Sequence, residues 1–254
     1  DLVRSRGLGD VYKRQLLFNA AEGSVFQNQQ LRQALAGIAR ENADVPSSGL
    51  YAAAKGLVPE GLTVDGLDYR ETAGNPLPTI PEPKALYLAA RQGMATSDFS
   101  GVTLLLPKNA GLGELADQIN SAWQKECSLF FSVEEVEQDE FDARIAAGKY
   151  TIALAPIRAE GGSVYQMLQQ FTTAGGSLTG YADTVYADRL ALSAQQTGKD
   201  RCALLAQCER QLLESCTVVP LLAQQKRLLL ANGVRDLVFD PFFPVLDLTW
   251  AKMS

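Results

Sequence analysis

Histidine is absent from the 254 residues. That removes His-dependent catalytic triads, imidazole general bases and His-ligated zinc. Long apolar runs are missing too: none approaches the ~20 residues that a membrane-spanning helix needs. Basic residues are outnumbered, 23 Lys and Arg against 29 Asp and Glu, for a formal net charge of −6. Nothing therefore supplies the cationic stripe of a nucleic-acid-binding surface. Cysteine is sparse: Cys127, Cys202, Cys208 and Cys216 form no CxxC pair, which weakens zinc and thioredoxin-like readings. Neither an Asp-x-Asp loop with calcium spacing nor a G-x-S-x-G nucleophile elbow occurs. No metal, cofactor or catalytic residue is expected.

What is present reads as a globular α/β chain, 46% apolar and 20% charged. Its organising stretch runs from Gly101 to Ala159. Three apolar runs (Val102 to Leu106, Leu129 to Val133, Ile152 to Ala155) are separated by helical patterns. Leu112, Leu115, Ile119 and Ala122/Trp123 carry the first pattern; Phe141 and Ile145 carry the second. Strands alternating with helices imply parallel pairing with right-handed crossovers, and such sheets bind ligands beyond the carboxyl ends of their strands. The third run ends in PIRAEGGS, where charge and glycine meet at a strand-to-helix junction. The functional edge is placed there.

The flanks are plainer. Leu31, Leu35 and Ile38 predict one helix, and residues 44–82, dense in Pro and Gly, predict turns and extended coil. Helices are further predicted over Pro83–Gln92, Val164–Phe171, Val185–Gln196 and Arg201–Cys216, with short strands at Val218–Leu222 and Arg227–Leu230. Cys208, Leu212 and Cys216 share a helical face with Leu205. Buried thiols of this kind are common apolar fillers; a catalytic thiolate would need a cationic neighbour and a base. The carboxylates of Glu134 to Glu137 with Asp139 and Glu140 read as a solvated acidic face.

Residues 1–15 stand apart. Ser5 to Gln15, SRGLGDVYKRQ, resembles the in-frame translation of a sequencing-library adapter, with Asp1 to Arg4 as flanking sequence. Such a segment is left out of fold reasoning and is expected to pack against nothing. The native gene would then continue upstream, and the lack of a signal peptide carries no information on location. Apolar residues near Leu16–Phe18 and Val238–Leu248 are expected to lack partners.

A family resemblance covers Leu16 to Lys252. It is carried, in order, by FN…LRQALAGIAR, GLVPEGL, YRETAGNPLPTIPEPKALYLAARQG, LTGYADTVYADRLALSA, CERQLLESCTVVPLL and the tail. Together they resemble the carboxyl-terminal half of dipeptide/oligopeptide-type (peptide/nickel family) solute-binding proteins of ABC importers. The resemblance implies a periplasmic-binding-protein-like α/β fold, truncated, with one α/β lobe (residues 16–217) and a return segment (residues 218–254) toward the other lobe. It implies extracytoplasmic capture of a peptide or related small solute between two lobes and delivery to permease subunits. The protein would reside in the periplasm or at the outer face of the cell membrane, touching the membrane only through a lipid anchor in the missing amino-terminal half. A sensor without transport, or an α/β enzyme using Cys or carboxylates, is the alternative; no enzyme is expected.

The chain departs from the family pattern after the third strand. Family members commonly carry Gly-Trp-x-Ala-Asp-Tyr; here Ile157 stands for the tryptophan and Glu160 for the aspartate. By the resemblance, Glu160 receives a peptide α-ammonium; otherwise it is a loop carboxylate. Arg158 suits a ligand carboxylate or the open surface. Tyr165 and Tyr181 line a pocket or belong to the core, and Ser163 binds an anion or caps a helix.

Overall fold

The computed structural model describes the main chain of residues 4–8, 12–158, 163–172, 177–224, 226–230, 234–235, 238–239, 246–247 and 252–253. Side chains are described for residues 13–155, 163–172, 177–224 and 252. In chain order, β1 (Arg4–Leu8) and β2 (Tyr12–Phe18) precede α1 (Gln29–Asn42). Short elements follow: β3 (Tyr51–Ala53), β4 (Thr63–Val64), β5 (Leu67–Asp68), α2 (Tyr69–Ala73) and α3 (Pro83–Ala90). The alternating centre comprises β6 (Thr103–Pro107), α4 (Gly113–Cys127), β7 (Ser132–Val136), α5 (Gln138–Ala146) and β8 (Ile152–Arg158). Then come α6 (Val164–Gln169), α7 (Thr184–Ser193), α8 (Gly198–Glu214), β9 (Val218–Gln224) and β10 (Lys226–Leu230).

Six strands form the central sheet in the order β3-β9-β2-β8-β6-β7. The parallel expectation holds for β8, β6 and β7; β2 runs antiparallel between β8 and β9. Helices cover both faces. One core gathers Leu31, Leu35 and Ile38 of α1 with Leu115, Ile119 and Trp123 of α4 against Leu104 and Leu154. The other gathers Leu205, Cys208 and Leu212 of α8 with Tyr69, Phe141 and Tyr186 against Leu17 and Leu105. Local chemistry fixes the helix starts. The Asn28 side chain accepts from Leu31 N–H at 3.1 Å and caps α1; Asp183 accepts from Tyr186 N–H at 2.9 Å and caps α7, each taking an otherwise orphan donor. Trp123, 0% exposed, buries its ring and donates its indole N–H to Leu35 O at 2.9 Å, tying α4 to α1.

Several expectations are corrected. The segment 1–15 does not pack against nothing: β1 pairs antiparallel with β10, and Tyr12 to Gln15 continue the central strand β2. Strand pairing runs through main-chain groups, so a strand seeded by the buried Leu16, Leu17 and Phe18 extends upstream whatever the side chains. Those three residues, expected to lack partners, are fully buried; Val238 to Leu248 lie outside the described side chains. The second strand begins three residues later than its apolar run, at Ser132. Asn120 accounts for this: its amide donates to Phe131 O at 2.7 Å and accepts from Phe131 N–H at 3.1 Å, so Phe131 has a side-chain partner instead of a ladder. Within 44–82, Tyr51–Ala53 joins the sheet at the edge of β9. Val218–Gln224 follow as β9, the second strand of the central sheet.

Candidate ligand-binding edge

The carboxyl ends of β6, β7, β8 and β9 and the amino ends of β2 and β3 meet along one edge of the sheet, as the registers Pro107↔Val136, Arg158↔Tyr12 and Tyr51↔Gln224 show. The edge is closely built. Past β6, Lys108 N–H donates to Val136 O at 2.8 Å, and Lys108 Nζ lies 2.8 Å from Glu137 Oε1, joining the ends of β6 and β7. The Glu137 carboxylate, by hydrogen bond and charge, raises the Lys108 pKa. Toward β3, Arg14 stacks 4.1 Å over the Tyr51 ring and donates to its hydroxyl at 2.6 Å. Between them, Arg14, Asp44, Glu114 and Gln118 border a cavity of about 210 Å³. On the opposite face, Lys13 donates to Gly56 O at 2.6 Å and Val58 O at 3.1 Å.

Of the residues singled out from sequence, Ile157 and Arg158 are the last two of β8, their main chains opposite Lys13 and Tyr12. Their side chains, and all of Glu160, lie outside the described residues. Ser163 caps α6, its hydroxyl accepting from Gln166 N–H at 3.4 Å. Tyr165 stands in the first turn of α6, half-buried against the α8-side core. Tyr181 is not brought together with them. Its loop is fastened at the amino end of β8: Ala20 N–H donates to Thr179 O at 2.8 Å, Tyr150 donates its hydroxyl to Leu178 O, and Gly180 (φ 63°) approaches Ala21 so closely that a Cβ would lie 2.7 Å from its nitrogen. The seven residues of β8 put about 20 Å between that end and Arg158 at ~3.3 Å per residue. There Tyr181 packs edge-on to Tyr186 and bonds Asp183 at 3.0 Å; burial and that carboxylate raise its pKa.

Sequence reading missed Glu209. This carboxylate on α8 is 0% exposed and holds the Gly56–Val58 turn. Its signal is visible afterwards: a glutamate spaced four residues from both Leu205 and Leu213, inside the apolar stripe.

The cysteines are not placed to act as thiolate nucleophiles. All four cysteines are free and buried. Burial pushes the thiols of Cys208 and Cys216 up to about 11 and that of Cys127 up to about 12. Ionisation at neutral pH is then negligible, and thiolates are the reactive species. Because all four side chains are buried, Cys202 and Cys208 at 0% exposure, iodoacetamide at pH 8 is expected to label none of the four in the folded chain and all four in urea; mass spectrometry showing rapid native labelling would contradict this. Among the described residues no group of three or more His, Cys, Asp or Glu is placed to hold a metal, and no helix is long and apolar enough to cross a membrane.

No family model matches the sequence, and no curated protein matches it. Solved structures do. An oligopeptide ABC transporter substrate-binding domain from Bacillus anthracis superposes with a TM-score of 0.77 at 16% identity, over 98% of this chain and 51% of its own. OppA of Listeria monocytogenes bound to peptide gives 0.73 at 18% identity, over 98% and 50%. HbpA2 from Haemophilus parasuis gives 0.75 at 18% identity, over 100% and 50%. The chain thus spans about half the length of the structures it matches, and over that span it has the α/β fold of the oligopeptide- and dipeptide-type ABC-transporter substrate-binding proteins.

Proposed function

We propose that this chain supplies the carboxyl-terminal part of an extracytoplasmic solute-binding protein that captures peptides and hands them to an ABC permease. One observation carries the reading: nearly the whole chain superposes on peptide-binding transport proteins, one of them with peptide bound. The carboxyl edge of the sheet then forms one wall of the ligand cleft, with Ile157, Arg158, Glu160 and the start of α6 facing the solute. Binding rather than catalysis is the role, and closure of a second lobe would exclude water from the cleft.

Within this reading Glu160 receives the peptide α-ammonium. Hydrogen bonds to charged groups contribute about 1.5–3 kcal/mol. Glu160→Gln in the complete protein is therefore expected to weaken binding of a short peptide by at least about tenfold, or ~1.4 kcal/mol. Acetylating the peptide amine should cost the wild type a similar factor and the variant little, because both changes delete one interaction. Calorimetry on two proteins and two peptides closes the cycle. Additive losses would make Glu160 a loop carboxylate, and no heat with any short peptide would overturn peptide capture itself.

A further inference from the structure

The geometry points to a side-chain subsite on this edge that takes the cationic end of a lysine- or arginine-type residue of the bound peptide. It rests on the peptide-capture reading and adds the class of residue the ligand presents there. The cavity at Asp44 and Glu114 holds about 210 Å³. That is below the roughly 300–1,000 Å³ of a site for a whole small ligand and suits one side chain. It lies where the carboxyl end of α1, the amino end of α4 and the first residues of β2 converge, beside the strand ends that bound the proposed cleft.

The lining matches a long aliphatic stem with a charged tip. Val45, Pro46 and Leu222 form apolar walls, and Val45 is 45% exposed, its apolar surface still open to a methylene chain. Asp44 and Glu114 also line the cavity, both exposed. Among the described residues no ion pair joins either of them to a basic residue. Asp44 is held in place because its N–H donates to Gln118 Oε1 at 3.3 Å, which ties the loop after α1 to α4.

The opposing charges are weaker. Arg14 lines the same cavity, but its guanidinium is turned to Tyr51, bonded to the hydroxyl at 2.6 Å and stacked on the ring. The start of α4 adds roughly half a positive charge. Two carboxylates against these leave the cavity net negative by about half a charge, so a cation is preferred over an anion.

The test uses the complete protein and an alanine tetrapeptide in which each residue in turn is replaced by Lys or by Glu, with affinities from calorimetry. One position is expected to favour Lys over Ala by roughly two- to fivefold, the range of an exposed ion pair, and to disfavour Glu. The preference should fade toward unity in 1 M salt, where the screening length falls to about 3 Å. Asp44→Asn combined with Glu114→Gln should remove it, and Asp44→Lys should turn it toward Glu. If the alanine peptide binds but no position favours Lys, or if Glu is favoured in the wild type, the subsite is overturned while peptide capture stands. If no peptide binds, both fall together.

Discussion

Replacing Glu209 by Gln is expected to cost about 3–5 kcal/mol of folding stability, the range for breaking a buried ion pair from one side. Five donors converge on this carboxylate. Oε1 accepts from Leu57 N–H and Val58 N–H, both at 2.8 Å, and from Arg70 Nη2 at 3.1 Å. Oε2 accepts from the Tyr69 hydroxyl at 2.9 Å and from Arg70 Nη1 at 3.2 Å. Glutamine keeps the shape but turns one acceptor into a donor, which then faces donors; Arg70, its side chain 14% exposed, loses its counter-charge. Urea unfolding should show a lower midpoint with an unchanged slope, the mark of lost stability without a changed unfolded state.

A second variant separates the ion pair from the turn it holds. Replacing both partners of a buried pair by apolar residues is often nearly neutral. Here Glu209→Leu with Arg70→Met should remain destabilising, because Leu57 and Val58 N–H would be left without acceptors, at about 1–3 kcal/mol for each buried unsatisfied group. The turn has little room to adjust: a Cβ on Gly56 would already lie 2.8 Å from Glu209 Oε1. A loss below about 1 kcal/mol in either variant would mean that water reaches the network and takes over its hydrogen bonds.

The contrast between Glu209 and the central strands shows what the sequence made legible. The succession β6-α4-β7-α5-β8 was readable because each element carries its own period: Leu104 to Leu106 as a buried strand, and Leu115, Ile119 and Trp123 as a helical stripe. That is local information. The bonds between Glu209 and Leu57 or Val58 span about 150 residues of sequence, and no period encodes a partner so distant. The same holds for Tyr181, whose position is set by a loop closing onto Ala20 and Ala21. Strand β2 was unreadable for a different reason. Its amino half, Tyr-Lys-Arg-Gln, has neither the apolar run nor the alternation that marks a strand buried on both faces. As for the candidate edge, its proposed place at the strand ends follows from the alternating pattern alone. Asp44 and Glu114 line a cavity together only because the end of α1 and the start of α4 converge there.

Gln15→Met is expected to stabilise the chain by about 1–3 kcal/mol, the cost of a buried polar group left without a partner. Gln15 is 0% exposed, and among the described residues neither its side-chain oxygen nor its nitrogen has a hydrogen-bond partner. Its main chain lies between Ala155 of β8 and Pro220 of β9, and alternation puts its side chain on the face of Leu17, toward the α8-side core. Methionine has nearly the same length and is also unbranched at Cβ and Cγ, so the gain should not be offset by overpacking. For a chain of this size each kcal/mol moves Tm by roughly 2–4 °C. Gln15→Glu should act oppositely and more strongly, since an unpaired carboxylate would be buried there. Lys13→Met makes the control: Lys13 is 2% exposed on the same face, but its ammonium serves Gly56 O and Val58 O, so removing it should bring no gain. A fall in Tm for Gln15→Met would show instead that the amide is satisfied in solution.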